Sequence, residues 1–186
     1  MKRILLLISV AYMFTACMDT KNSTTEEVSK DEESTITETP EKTIDISSIK
    51  AQLCQTFPKD LIMSYNPDAT HIEIESVDNG SGGVMHCKVK LFYGEKAYEF
   101  WEGQVTAWIN QVEDPFFQYN PKRNATLYHD VEGIGDRAVY ISNMFQLQIL
   151  KDGVVYSITP PNRGRTTSTG KETKEIAIEI AKHYKI

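Results

Sequence analysis

Polar and apolar residues alternate along most of the stretch from His71 to Val77, as they do in a strand with one buried face. A run rich in Asp, Asn, Gly and Ser follows at residues 78–83, and such a run typically turns the chain. A second β-type segment extends from Val84 to Tyr93. Residues 71–93 are therefore predicted to form a β-hairpin.

Near both ends of residues 44–186, apolar residues recur every three or four positions, as on the buried face of a helix. The first stripe comprises Ile49, Leu53, Cys54 and Phe57. Pro58 ends or kinks this helix, and a short second turn follows at residues 61–63. The second stripe comprises Thr173, Ile176, Ala177, Ile180, Ala181 and Tyr184. Thr169 and Glu172, just ahead of this terminal helix, resemble a capping box.

The last third of the chain is rich in β-branched and aromatic residues. Strands are predicted at Thr126–Val131, Arg137–Ser142, Phe145–Leu150 and Val154–Ile158. The residues Lys151, Asp152 and Gly153 supply a tight turn between the last two strands. The fold class predicted from these elements is α+β, with an antiparallel sheet of about five or six strands packed by the N-terminal and C-terminal helices.

Residues 95–111 fit two structures. The residues that share one face of a helix are Tyr98, Trp101, Val105, Trp108 and Ile109. The aromatic content and Gly103 also permit a pair of strands. We predict a helix here, followed by a loop from Val112 to Arg123 that contains Pro115 and Pro121.

The first seventeen residues have the pattern of an export signal. Lys2 and Arg3 precede an apolar run from Ile4 to Phe14, which is too short to span a bilayer. Two small residues, Thr15 and Ala16, then lead to Cys17. A plain secretory signal, with Cys17 an accidental neighbour, is one interpretation of this segment.

A cysteine placed directly after such small residues also resembles the lipobox of bacterial lipoproteins. In that family the cysteine is acylated and becomes the new amino terminus. The resemblance implies a signal peptide at residues 1–16, palmitate or a similar acyl group on Cys17, and attachment to a bacterial membrane. Several acyl chains on one cysteine hold a protein at a membrane far more firmly than a single chain does.

The amino-acid composition distinguishes a linker near the N-terminus from the globular domain that follows it. Residues 18–43 are rich in Thr, Ser, Glu and Lys and poor in large apolar residues, so they cannot offset the entropy lost on ordering. We predict a disordered acidic linker over residues 17–43 and one globular domain over residues 44–186. That domain carries 15 basic and 18 acidic residues, and no basic block. A mildly acidic domain is a poor candidate for binding nucleic acid.

Besides Cys17, the sequence contains two further cysteines. Cys54 and Cys87 are enough for one disulfide, which an exported domain can retain. Two separate buried thiols are the alternative. A metal site using His86 is a weaker interpretation, because no cysteine or histidine pair has the usual ligand spacing. We predict no metal.

Two glycine motifs resemble phosphate-binding sequences. Gly133–Ala138 matches the dinucleotide fingerprint, but a strand is predicted after it where the motif requires a helix. The segment Gly164–Gly170, followed by Lys171, has one residue too many between its glycines and places Glu172 where a hydroxyl belongs. We predict a turn and a loop respectively, and no cofactor.

Candidate catalytic residues are few. His129 and Asp130 are adjacent on a predicted strand and would point to opposite faces. Glu73 and Glu75 share a strand face and could act as acid and base, but we interpret them as the solvated outer face of a hairpin, as strand alternation predicts. No GxSxG nucleophile motif is present in the sequence. No catalytic residue is predicted.

An aromatic cluster offers a candidate binding surface. Phe116, Phe117 and Tyr119 lie on a proline-bounded loop where burial is hard to arrange, and Arg123 follows them. Aromatic rings with an arginine suit contact with a sugar, a peptide or a protein. Trp101 and Trp108 are predicted to belong to the core instead.

The arrangement of the domain resembles a class of small bacterial lipoproteins of unassigned function. The matching features are Cys54 in the first helix, Cys87 in a following strand, the segment Gly133–Ala138 and the helix from Lys171. The resemblance implies an α+β domain with a Cys54–Cys87 bridge and brings no catalytic residues.

The function expected from these features is that of a membrane-anchored envelope lipoprotein, facing the periplasm or the cell exterior. Its domain is expected to bind a protein or a small molecule without catalysing a reaction. Two alternatives remain open: an envelope hydrolase using carboxylate or histidine chemistry, and an immunity-type lipoprotein that neutralises a competitor's toxin.

Overall fold

One antiparallel sheet runs through the part of the chain that the computed structural model describes, which is residues 44–78, 85–162 and 164–186. Its strands are β1 (His71–Asp78), β2 (Met85–Phe92), β3 (Phe100–Ile109), β4 (Tyr128–Asp130), β5 (Arg137–Ile141), β6 (Gln146–Lys151) and β7 (Val154–Thr159). They are ordered β1-β2-β3-β7-β6-β5-β4. The pairing of β3 with β7 therefore joins the N-terminal strands β1–β3 to the C-terminal strands β4–β7.

Three α-helices accompany the sheet within the described ranges: α1 (Ile46–Gln55), α2 (Lys59–Tyr65) and α3 (Thr173–His183). Helix α1 begins where the Asp45 carboxylate accepts hydrogen bonds from the backbone N–H groups of Ser47 and Ser48, both at 3.1 Å. Pro58 is the N-cap of α2, so it separates the first two helices as its ring geometry requires. Helix α1 contacts β2 and β3, and α3 contacts β6 and β7.

The main core lies between these helices and one face of the sheet, here called the helix-covered face. Every second residue of each strand points into it, as the period of a strand requires. The fully buried strand residues in this core include Cys87, Val89, Leu91, Val105, Ala107, Leu147, Ile149 and Ile158. They meet buried helix residues that include Leu53, Ile62, Ile176, Ala177, Ile180 and Ala181. The predicted stripe of the terminal helix is confirmed, because all its members are buried.

A smaller core covers part of the opposite face, here called the second face. Phe116 is fully buried there against Val139 of β5 and Val155 of β7. Partly buried residues surround this group: Trp108, Tyr119, Tyr128 and Leu150. The chain between β3 and β4 therefore folds back over the second face and seals one region of it.

A disulfide joins Cys54 of α1 to Cys87 of β2, with 5.2 Å between the two Cα atoms. The predicted bridge is present, and the alternative of two separate thiols is wrong. The sequence separation of 33 residues corresponds to about 3–4 kcal/mol on the chain-entropy view of a cross-link. The bridge fixes the first helix on the sheet.

The helix predicted within residues 95–111 is wrong: Phe100–Ile109 is strand β3. This strand is central, and both its faces meet other residues, so its apolar positions do not alternate with polar ones. It is also the seventh strand, which explains why the sheet is larger than the five or six strands predicted. The other six predicted strands are present, and β1 pairs with β2 as the predicted hairpin requires.

The capping box predicted at Thr169 and Glu172 is also wrong. Helix α3 begins at Thr173, and its N-cap Glu172 makes no side-chain capping bond. The Thr169 hydroxyl instead donates to the backbone oxygen of Tyr65, at 3.0 Å. The turn between β6 and β7 follows the prediction, because Asp152 and Gly153 both have positive φ, at 50° and 80°.

The predictions for the signal peptide at residues 1–16, Cys17, the linker at residues 17–43 and the turn at residues 79–83 lie outside the described residues. Among the described helices, none is long and apolar enough to cross a bilayer.

Candidate functional site

The loop from Asn110 to Asn124 takes its shape from short polar side chains that bind nearby backbone N–H groups. Asp114 Oδ1 accepts from Phe116 N at 2.8 Å, and Asn120 Oδ1 accepts from Lys122 N at 2.9 Å. Asn110 and Asn124 accept from the N–H groups two residues further on, at 3.3 and 3.1 Å. Such Asx turns fix a loop whose one regular element among the described residues is a short 3-10 helix at Phe117–Tyr119.

An ion pair fastens this loop to the sheet. Arg137 Nη1, on β5, donates to Asp114 Oδ1 at 2.7 Å, and the Arg137 guanidinium carbon lies 5.4 Å from the centre of the Phe116 ring. Both charged side chains are about one-third exposed, with 35% and 37% of their surface open. Asp114 therefore holds the loop by two bonds, one to its own backbone and one to the sheet.

Between the fastened loop and the second face lies a groove of about 530 Å³, here called the aromatic groove. Its lining includes Trp108, Val112, Pro115, Phe117, Tyr119 and Gln148. Phe117 is 58% exposed, which is unusual for so large an apolar ring, and the Arg123 guanidinium lies 4.0 Å from the centre of that ring. Tyr119 packs edge-on against Tyr128, with 5.7 Å between the ring centres.

The candidate residues of this loop do not all lie in the groove. Phe116 is fully buried beneath the groove. The prediction that it belongs to an exposed binding surface is therefore wrong. Phe117 and Tyr119 line the groove, and Arg123 stacks on Phe117.

Sequence reasoning missed the two groove residues that belong to strands of the sheet, Trp108 and Gln148. Trp108 was assigned to the core of a helix, and it is instead a half-buried residue on the second face of β3. Gln148 gave no signal of its own, because a single glutamine in an apolar strand has no distinctive spacing.

The strands under the groove carry buried polar groups. Gln148 Nε2 donates to Gln146 Oε1 at 2.9 Å, and both side chains are more than nine-tenths buried. Ser157 of β7 lies directly across from Gln148, and its buried hydroxyl has no hydrogen-bond partner among the described residues. These three residues, Gln146, Gln148 and Ser157, are here called the buried polar strip. Buried polar groups cost free energy unless they are paired, so hydrophobic packing alone does not favour them at these positions.

A second cavity, of about 200 Å³, lies on the helix-covered side next to the edge strand β4. Its lining includes His129, Tyr140, Ser142, Arg165 and Glu172. Burial raises the pKa of Tyr140 to about 12, so that its hydroxyl stays neutral. The Ser142 hydroxyl lies 3.2 Å from the backbone oxygen of Leu127, to which it can donate. The cavity does bring His129 and a carboxylate to one site.

The other candidate groups are exposed to solvent, paired with a neighbouring charge or part of a turn. Glu73 and Glu75 lie exposed on the edge strand β1, as a solvated face predicts. Lys171 Nζ lies 2.8 Å from Glu179 Oε1, and the hydrogen bond to Glu179 raises the pKa of Lys171. The segment Gly133–Ala138 comprises the turn between β4 and β5 and the first two residues of β5, so the glycines lead into a strand and not into a helix.

No group of three or more His, Cys, Asp or Glu side chains in the described ranges is arranged to hold a metal ion. In comparisons with protein families, with curated proteins and with solved structures, the chain shows no match.

Proposed function

We propose that this chain is a membrane-anchored lipoprotein of the bacterial cell envelope whose domain binds a partner without catalysing a reaction. In this proposal acyl chains on Cys17 hold the protein at a membrane, on the periplasmic or external side. The acidic linker at residues 17–43 keeps the domain clear of the bilayer surface. The partner is a protein or a small molecule and not a nucleic acid.

The observation that carries the binding proposal is the aromatic groove. A loop held by Asx turns and an ion pair presents Phe117 to solvent, and rigid aromatic rings bind partners at a low cost in conformational entropy. The volume of about 530 Å³ lies in the range of small-ligand sites and of pockets that receive one anchor side chain.

The chemistry around the groove supports binding over catalysis. The one carboxylate among its lining residues in the described ranges belongs to Asp114, which is engaged by Arg137 and by the loop backbone. Oδ1 of this carboxylate accepts both bonds, so Asp114 has a structural role in holding the loop.

Site-specific cross-linking tests this proposal. A photoreactive amino acid at Gln118, in the full chain expressed in its own cells, is expected to give a defined adduct. Replacing Phe117 and Tyr119 by Ser should reduce that adduct at least about tenfold, because two ring contacts are lost. The matched control is Met144→Ser, which removes another exposed apolar side chain and should leave the adduct unchanged. An adduct of equal yield in all three proteins contradicts the groove as the binding site.

A hydrolase is the second candidate, favoured by the cavity that contains both His129 and Glu172. It predicts an activity on an ester or amide that is lost in His129→Ala and retained in His71→Ala, since His71 lies exposed on β1. Full activity in His129→Ala excludes this site as catalytic.

A further inference from the structure

A separate cleft of about 560 Å³ lies where β2 ends and β3 begins, beside the turn that precedes β1. Its lining residues are Asp68, Tyr93, Tyr98, Glu99, Phe100 and Trp101. Two of the aromatic rings are open to solvent: Tyr98 is 72% exposed and Trp101 is 45% exposed. We propose that this cleft binds an organic ammonium group.

The charge of the cleft selects for a cation. Asp68 and Glu99 contribute two carboxylates, and no lysine or arginine is among its described lining residues. Two ammonium groups nearby lie over lining rings: Lys90 Nζ is 5.3 Å from the centre of the Phe100 ring, and Lys96 Nζ is close to Tyr98. The face of an aromatic ring carries negative electrostatic potential, so rings and carboxylates together attract a cation and disfavour an anion. A neutral apolar ligand would gain nothing from the two carboxylates and would partly desolvate them.

The chain's own Lys96 shows that an ammonium group is favoured here. Lys96 Nζ lies 5.6 Å from the centre of the Tyr98 ring and 3.8 Å from Glu99 Oε1. One ammonium thus contacts a ring face and a carboxylate at the mouth of the cleft. With its side chain 63% exposed, Lys96 is held weakly and can be displaced by a ligand that fits deeper.

Both carboxylates are positioned by their surroundings. Asp68 Oδ1 accepts a hydrogen bond from the Ser168 hydroxyl at 2.7 Å. The backbone of Glu99 is fixed within the turn, because Tyr93 N donates to Glu99 O and Glu99 N donates to Lys96 O, both at 2.9 Å. The Glu99 carboxylate occupies the space that a side chain at Gly94 would fill, so a larger residue at Gly94 would displace it.

The test compares a cation with its neutral isostere. Choline is titrated into the full-length protein in parallel with 3,3-dimethylbutan-1-ol, in which carbon replaces the charged nitrogen. Trp101 fluorescence reports binding in a Trp108→Phe background, because the chain has two tryptophans. We expect saturable binding of choline in the millimolar range or tighter, and binding of the alcohol at least about tenfold weaker.

Variants locate the site. Gly94→Ala and Asp68→Asn should each weaken choline binding several-fold, whereas Glu132→Gln, which changes an exposed carboxylate in the β4–β5 turn, should not. Lys96→Gln should strengthen choline binding, because it removes the competing ammonium. Nα-acetyl-lysine N-methylamide, tested alongside choline, distinguishes a lysine side chain from a methylated ammonium as the preferred group.

Three results overturn the proposal: no saturable binding of either cation, equal affinity for choline and its neutral isostere, or binding of a methyl glycoside in place of both cations. Cross-linking at the aromatic groove does not involve these residues, so the two proposals can fail separately.

Discussion

At the scale of single residues, the contact between the two ends of the domain is the most informative. The hydroxyl of Tyr184, just after α3, donates to the backbone oxygen of Leu53 in the last turn of α1, at 2.5 Å. The last carbonyl groups of a helix have no partner within the helix, so this hydroxyl satisfies an acceptor that would otherwise be buried and unpaired. The ring is more than nine-tenths buried.

Replacing Tyr184 by Phe is expected to lower the free energy of unfolding by about 1–3 kcal/mol, because the Leu53 carbonyl loses its partner inside the protein. Urea denaturation measures this change. Tyr98→Phe is the control, because that hydroxyl lies on an exposed ring and its loss should have almost no effect. Equal losses in the two variants contradict the assigned role of Tyr184.

Burial of tyrosines predicts a loss of stability in alkali. Burial raises the pKa of Tyr184 above its ordinary value of 10.0 and that of Tyr140 to about 12. Between pH 10 and 12 the unfolded chain releases these protons while the folded protein retains them, so the free energy of unfolding falls as the pH rises. Below pH 10 this contribution is fully present.

The expected observation is a urea midpoint that declines above about pH 10 in the wild type and declines less steeply in a Tyr140→Phe, Tyr184→Phe double variant. Absorbance near the tyrosinate band should show part of the tyrosine titration delayed to higher pH in the folded protein. Identical slopes in the two proteins would count against burial as the cause.

At the scale of elements, prediction from sequence succeeded where one face of an element is buried. The terminal helix repeats its apolar residues every three or four positions, and strands β1 and β2 of the first hairpin alternate polar and apolar residues along most of their length. Strand β3 does not, because Val105 and Ala107 face the helices while Thr106 and Trp108 face a second buried layer. Because both faces of β3 are covered, the spacing of its apolar residues matches the pattern expected of a helix.

Gly103 was the signal that favoured a strand at β3. A side chain there would clash with the backbone of Thr159 and Pro161, which approach closely. Glycine within a strand often marks such an approach.

Gly103→Ala is therefore expected to destabilise the fold by about 1–3 kcal/mol through overpacking against backbone that cannot move aside. Gly133→Ala is the comparison, because the added methyl group would meet no other atom there. The positive φ of +72° at Gly133 is the one feature that disfavours alanine, at a cost of about 1 kcal/mol. Thermal denaturation should rank Gly103→Ala as the less stable variant. The reverse order contradicts the close approach.

The candidate site was predictable only in part, for a related reason. The proline-bounded loop and its aromatic content pointed to Phe117, Tyr119 and Arg123. Phe116 has the same residue type as Phe117 and the opposite environment, and only the packing of the loop on Val139 and Val155 decides between them.

At the scale of the whole molecule, the helices and the two faces of the sheet have different roles. The disulfide and the Tyr184 contact hold α1 against the sheet and the end of α3. The second face carries a fastened loop, an open aromatic groove and a buried polar strip. A helical layer fixed behind an accessible face is consistent with the binding role proposed for the aromatic groove.

We propose that this domain binds its partner while acyl chains on Cys17 hold it at a membrane. Mass spectrometry of the mature protein's first peptide tests it most directly, with Cys17→Ser as the matched variant. We expect the peptide to begin at Cys17 and to carry acyl mass, and the variant to carry none. A mature peptide that begins elsewhere, or an unmodified Cys17, would contradict it.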